Sequence, residues 1–246
     1  MFIKLLSATA GALLGVATIA SADDMSHATK FTIRIENITK PDAFTASNGT
    51  KWSLAFSPGL AIVHKEKALV FSVGKKDRGH GLEAQSEDGD PGMLAKSLEG
   101  GKGIKAVKVF NTPVGAKVPG PITPGSTYEV TISAMPGDRL TLTTMMGQSN
   151  DWFYAPGEAG IELFKDGKAI SGDITSQMIL WDAGTEVNQE PGIGPDQGPR
   201  QKAPNTGEAE NGVVKNAKDV KFGGAYTNTA KAMKVTITPA MMPGAM

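Results

Sequence analysis

Cysteine is absent from this 246-residue chain, which excludes a disulfide framework, a thiolate metal site and a cysteine nucleophile. Aromatic residues make up only 6%, and neither sign of charge prevails, with 25 Lys and Arg against 25 Asp and Glu. Nucleic-acid-binding domains usually carry a clear basic excess, so no nucleic-acid partner is expected. The three histidines, His27, His64 and His80, stand in unlike contexts. They form no zinc or copper ligand pattern and are expected as surface or singly hydrogen-bonded groups. A Gly-x-Ser-x-Gly elbow is also missing, which argues against a serine nucleophile.

Long apolar runs are missing too, apart from one at the start. Lys4 precedes an uncharged stretch over 5–20 that ends in Ala20-Ser21-Ala22 before Asp23-Asp24. That order predicts a signal peptide over 1–22. A single exported domain over 23–246 is then expected, secreted or periplasmic and with no membrane span. Only Lys4 among the charged residues would be lost, leaving 24 basic against 25 acidic groups, a formal charge of −1.

What is abundant is turn chemistry. There are 30 Gly and 15 Pro, 45 of 246 residues, short of the roughly 25–30% typical of low-complexity chains. Between the turns, apolar and polar residues alternate with the two-residue period of a strand. The pattern occurs around Phe31-Thr32-Ile33-Arg34-Ile35 and recurs over 104–109, 128–132, 140–145 and 233–237. Asp166-Gly167 between two apolar runs predicts a hairpin, because both turn positions favour positive φ. Helical signal is confined to a turn or two within 48–67 and a short helix over 91–99 with Met93, Leu94 and Leu98 inward. The expected fold is therefore all-β, an antiparallel sandwich with long loops and one or two short helices. One segment stands apart. Residues 188–212 hold four prolines, five glycines and, among larger apolar side chains, only Ile193. Such a loop is either a disordered insertion or a functional element.

Two segments place carboxylates beside large apolar side chains: Ser149-Asn150-Asp151-Trp152-Phe153 and Trp181-Asp182-Ala183-Gly184-Thr185-Glu186. Burying an uncompensated carboxylate is costly, so a partner charge is expected. The strand order brings both segments to one end of the fold, and Gly184 lets the chain bend between Asp182 and Glu186. Converging carboxylate and amide oxygens without histidine or cysteine suit a hard cation, Ca²⁺ before Mg²⁺. The acidic stretch Glu83, Glu87, Asp88 and Asp90 reads most simply as a solvated loop. Trp52, Trp152, Phe153, Tyr154 and Trp181 read as core rather than as a sugar-stacking platform.

These two segments are similar to the Ser/Pro-Asp-Trp-Phe and Trp/Tyr-Asp-Ala-Gly-Thr-Asp segments of the spondin domain family, in order and in spacing. Further echoes of its bacterial form lie in Gly81-Leu82-Glu83, Glu87-Asp88-Gly89-Asp90-Pro91, Pro136-Gly137-Asp138-Arg139-Leu140, Pro204-Asn205-Thr206-Gly207 and Glu210-Asn211-Gly212. The resemblance spans roughly 30–239. It implies a sandwich similar to C2 domains and a divalent-cation site with Asp151, Asp182 and Glu186 as side-chain ligands, although Glu186 stands where the animal proteins have Asp. The implied use is recognition or adhesion, non-catalytic, toward a protein or glycan ligand. Two other uses remain open: an extracellular glycan hydrolase with Asp151 and Glu186 as acid and base, and a structural envelope or matrix protein.

Overall fold

A computed structural model describes residues 28–67 and 69–240; the expected signal peptide and His27 lie outside them. In chain order the strands are β1 (Thr29–Asn37), β2 (Phe44–Thr45), β3 (Lys51–Trp52), β4 (Phe56–His64), β5 (Ile104–Phe110), β6 (Thr127–Ala134), β7 (Arg139–Met146) and β8 (Trp152–Ala155). They continue as β9 (Ile161–Glu162), β10 (Phe164–Lys165), β11 (Lys168–Ala169), β12 (Gly172–Asp173), β13 (Ile179–Asp182), β14 (Lys215–Asn216) and β15 (Met233–Pro239). Three short helices interrupt them: α1 (Leu82–Glu87), α2 (Gly92–Leu98) and α3 (Thr229–Ala232).

Every strand pairing is antiparallel, and two sheets face each other. One is four-stranded, in the order β12-β15-β1-β6; the other is seven-stranded, in the order β14-β13-β8-β7-β4-β5 with β9 against β7. Phe31, Ile33 and Ile35 of β1 point inward with Val235 and Ile237 of β15, and meet Ala61, Val63, Leu140, Leu142, Trp152 and Tyr154 of the other sheet. Residues between the inward ones on β1 face water, where Arg34 pairs with Glu129 of β6 at 2.9 Å. The fold is an all-β antiparallel sandwich.

The seven-stranded sheet carries a second core on its outer face. Leu60, Ile62, Phe153 and Trp181 pack there under Leu82 of α1 and Leu94 and Leu98 of α2, with Phe71 edge-on to Phe153. This covering explains three departures from expectation. The 48–67 region holds no helix but contains β4, the nine-residue strand between β5 and β7. Both of its faces are apolar, so the polar half of the alternation that marks a strand is missing. Of the acidic stretch Glu83, Glu87, Asp88 and Asp90, read as a solvated loop, the first two lie in α1, with Glu87 buried. Met93 lies 59% exposed while Leu94 and Leu98 are buried, because the helix presents only the stripe that includes Leu94 and Leu98 to the sheet. The aromatic residues Trp52, Trp152, Phe153, Tyr154 and Trp181 are all buried. Among the described residues no helix is long and apolar enough to cross a membrane.

Candidate metal centre

The turn between β7 and β8 sets the first carboxylate. Ser149 fixes it, its hydroxyl donating to the Met146 carbonyl at 2.7 Å and accepting the Trp152 amide at 3.1 Å. Asp151 is therefore held at the rim just before β8. In the β8–β13 ladder Trp152 stands opposite Asp182, and the Ala183 amide donates to the Asp151 carbonyl at 3.1 Å. The two aspartates thus come together through direct strand pairing, closer in topology than a route through the Asp166-Gly167 hairpin requires.

Beyond Asp182 the chain reverses at Gly184, whose φ is 70° and where a Cβ would lie 2.6 Å from the Val213 amide nitrogen. Only glycine suits that position. The reversal aims the Thr185 and Glu186 amides at Asp151 Oδ2, at 2.8 and 3.2 Å, and the Thr185 hydroxyl adds a third donor at 3.3 Å. The stretch after Gly184 then runs beside the end of the long loop: the Gly212 amide donates to the Gly184 carbonyl at 2.7 Å and the Glu210 amide to the Thr185 carbonyl at 2.9 Å. That pairing delivers Glu210 to the aspartates. One carboxylate oxygen from each of Asp151, Asp182 and Glu210 lies within 4.8 Å of the others.

Each member of the group is half satisfied. Asp151 Oδ2 takes the three donors just named. Asp182 Oδ2 accepts the Trp152 indole N–H at 3.1 Å and the Asn188 amide at 2.6 Å. Glu210 Oε1 accepts the Lys215 ammonium at 2.8 Å. The other oxygens, Asp151 Oδ1, Asp182 Oδ1, Glu210 Oε2 and Asn188 Oδ1, are buried with no hydrogen-bond partner. They make up four of the eight such side-chain atoms among the described residues. Since leaving one buried acceptor unmade costs about 1–3 kcal/mol, four on neighbouring groups mark a place built for something that attracts oxygen. Burial, reinforced by the charge of Asp182, pushes the Asp151 carboxyl well above its usual range; burial likewise raises Asp182.

The donor set fits a hard divalent cation. All four unpartnered atoms are oxygens, as Ca²⁺ and Mg²⁺ require. Two oxygens on opposite sides of a calcium ion stand about 4.6–5.2 Å apart, from contacts of about 2.3–2.6 Å, so the 4.8 Å limit on the group's spread is compatible with one coordination sphere. Three carboxylates and the Lys215 ammonium sum to −2. Neither histidine of the described residues contributes: His80 is exposed, and His64 lies at the far end of β4.

Of the residues expected as ligands, the structure brings Asp151 and Asp182 together and turns Glu186 elsewhere. The Glu186 carboxylate is buried, but its Oε1 accepts the Asn150 side-chain amide at 2.8 Å. The long loop presses on it so closely at Gly207 that a Cβ there would overlap Glu186 Oε1 at 1.4 Å. Glu186 serves the group through its main-chain N–H. Asn188 was expected, with Asn150, as a source of a nearby carbonyl oxygen; Glu210 and Lys215 were not anticipated as ligand or counter-charge, and the one hint was Glu210-Asn211-Gly212, a turn dipeptide directly after a carboxylate. Glu87 also comes near, its carboxyl within reach of the Thr185 hydroxyl. Compared with known proteins, the chain matches no family model and no curated sequence.

Proposed function

We propose that this chain is an exported, divalent-cation-binding module of the spondin type, with calcium the favoured ion, and that it serves recognition or adhesion without catalysing a reaction. One observation carries the reading: four buried, unpartnered oxygens on Asp151, Asp182, Asn188 and Glu210, in a group whose formal charge is −2. A bound divalent ion would supply the positive charge that this group lacks. The oxygens are sealed from solvent, so the site suits holding loops in place better than meeting a substrate. A glycan hydrolase would need Asp151 and Glu186 open to a sugar, and both are buried. The residues that resemble the spondin segments are the ones that build this rim, which favours a module of that kind over an unrelated sandwich.

The test is cation binding to chelator-stripped protein. The Trp152 indole bonds Asp182 directly, so a terbium ion held there should luminesce when tryptophan is excited, and calcium should quench that signal by competition. At a hundred times its dissociation constant, calcium should add about 2.7 kcal/mol, raising the melting temperature by about 5–10 °C for a chain of this size. Absence of both the luminescence and the shift would overturn the reading.

A further inference from the structure

The 188–212 loop contains no helix; beside the bridge between Glu186 and Ala209, the Gly212 and Glu210 amides bond the Gly184 and Thr185 carbonyls and the Glu208 carbonyl accepts the Val187 amide. Its larger apolar content is Ile193, partly buried against the inter-sheet core. What holds it down is polar. Near its start, the Gln189 amide donates to Asn150 Oδ1 at 2.9 Å and the Gly192 amide to the Gln148 carbonyl at 3.2 Å. Further along, Asp88 Oδ1 accepts the Gln201 side chain at 2.9 Å and the Asn205 amide at 3.2 Å. Its two feet each carry a buried unpartnered oxygen, Glu210 grouped with Asp151 and Asp182 and Asn188 bonded to Asp182 through its amide.

We infer that the 188–212 loop is a cation-dependent strap, fastened to the sheet through Asn188 and Glu210 only when a divalent ion is held between them and the two aspartates. This rests on the cation reading of the site above. Ordering 25 residues against a surface costs conformational entropy at each one, and one isoleucine with hydrogen bonds to Ser47, Asn150, Gln148, Asp88 and the Gly184–Thr185 main chain offsets only part of it. Without a cation, closing the strap also drives the Glu210 carboxylate against Asp151 and Asp182, with Lys215 alone to compensate. With a cation, the same four oxygens become the strap's strongest attachment. When closed, the strap seals Trp52, which would lie 2.2 Å from a Cβ at Gly192, and covers Met145 at Gly198. Lifting it uncovers an aromatic and methionine surface at the edge of the inter-sheet core.

Limited trypsin digestion of the full chain tests this, because Arg200 sits mid-strap with its guanidinium bonded to the Gly194 carbonyl and to Gln197. Cleavage after Arg200, followed by mass spectrometry, should run about tenfold or more faster in chelator than in millimolar calcium, while far-ultraviolet circular dichroism stays unchanged. Asn188→Ala leaves all three carboxylates in place. Because it removes one of the four oxygens, terbium luminescence and calcium's protection of the Arg200 bond should both need more cation than in the unaltered chain. Equal cleavage at Arg200 with and without calcium, in protein that shows terbium luminescence, overturns the strap and leaves the site standing. Loss of luminescence itself overturns both. Cleavage in chelator spread over strand positions such as Lys108 and Lys234 means that the whole sandwich has opened, and also overturns the strap.

Discussion

At the end of the seven-stranded sheet where β4 stops, His64 is sealed between the chain's own groups. Its Nδ1 bonds the Glu66 carbonyl at 2.6 Å and its Nε2 the Thr141 hydroxyl at 2.8 Å. A carbonyl only accepts, so Nδ1 carries the proton and Nε2 receives one from Thr141. At the opposite end, where β7 gives way to β8, Asp151 and Asp182 are buried as thoroughly and Glu210 partly, yet each keeps one oxygen with no donor. The first end is closed largely by the chain's own groups, although Asp138 Oδ1 there is also unpartnered; the second, on the reading proposed above, would be completed by a cation. Burial alone therefore does not tell a structural polar group from a binding site. Unmet valence does.

Breaking the acidic end should give the largest effect, and its sign should depend on calcium. In saturating calcium, Asp151→Asn removes a charged ligand and should forfeit most of the stabilisation linked to the ion, about 3 kcal/mol. In chelator the same change removes a like charge beside Asp182 and leaves an amide that still accepts from Thr185 and Glu186, so it should be neutral or slightly stabilising. Urea denaturation with calcium and with chelator checks this. An equal cost in both would mean that Asp151 is merely a structural acceptor, as His64 Nε2 is at the far end.

The two ends should also answer pH in opposite senses. Beside the acidic end, burial, together with the nearby Glu186, Glu83 and Asp88, pushes the Glu87 carboxyl up to about 7. The folded chain thus keeps a proton that the unfolded chain gives up near 4.5, and stability is lost as pH rises from about 4.5 to 7. Glu87→Gln should flatten that decline and gain about 1–2 kcal/mol at pH 8 relative to pH 5, read as a shift in urea midpoint. An unchanged pH slope would show that Glu87 ionises freely.

The same contrast explains what could be read from the sequence. Strands with one wet face, such as β1 and β6, announced themselves by alternation, and Asp166-Gly167 marked the β10–β11 hairpin, with φ of 50° and 72°. β4 did not, since both of its faces are covered. Asp151 and Asp182 were legible because each stands beside tryptophan, where a carboxylate needs a reason. Glu210 was not, because its one local mark, the Asn211-Gly212 turn after it, does not say what it approaches. It reaches the aspartates through the Gly212–Gly184 and Glu210–Thr185 main-chain bonds, a pairing of distant segments that no short pattern encodes. Glu186 failed to join them because the bend at Gly184 and Thr185 turns its amide to Asp151, and its carboxylate lies against Asn150 and Gly207 instead. His64 was expected on the surface or with a single bond; two covering strands made it a doubly bonded core group.

The smallest effect should come from the satisfied end. Thr141→Val keeps the shape but withdraws the hydroxyl that His64 Nε2 accepts, leaving one buried acceptor unmet at a cost of about 1 kcal/mol. That loss should be the same in calcium and in chelator, since the site lies at the opposite end of the sheet. Burial holds the His64 pKa below its ordinary 6.5, so the folded chain resists a proton that the unfolded chain accepts. Its contribution is present above about 6.5 and is lost as pH falls through that value, the reverse of Glu87. His64→Gln should remove this acid-side loss from urea midpoints measured between pH 7.5 and 5.5. If Thr141→Val proved calcium-sensitive, the two ends would be mechanically coupled through β7, and the division between a self-sufficient end and a cation-completed one would fail.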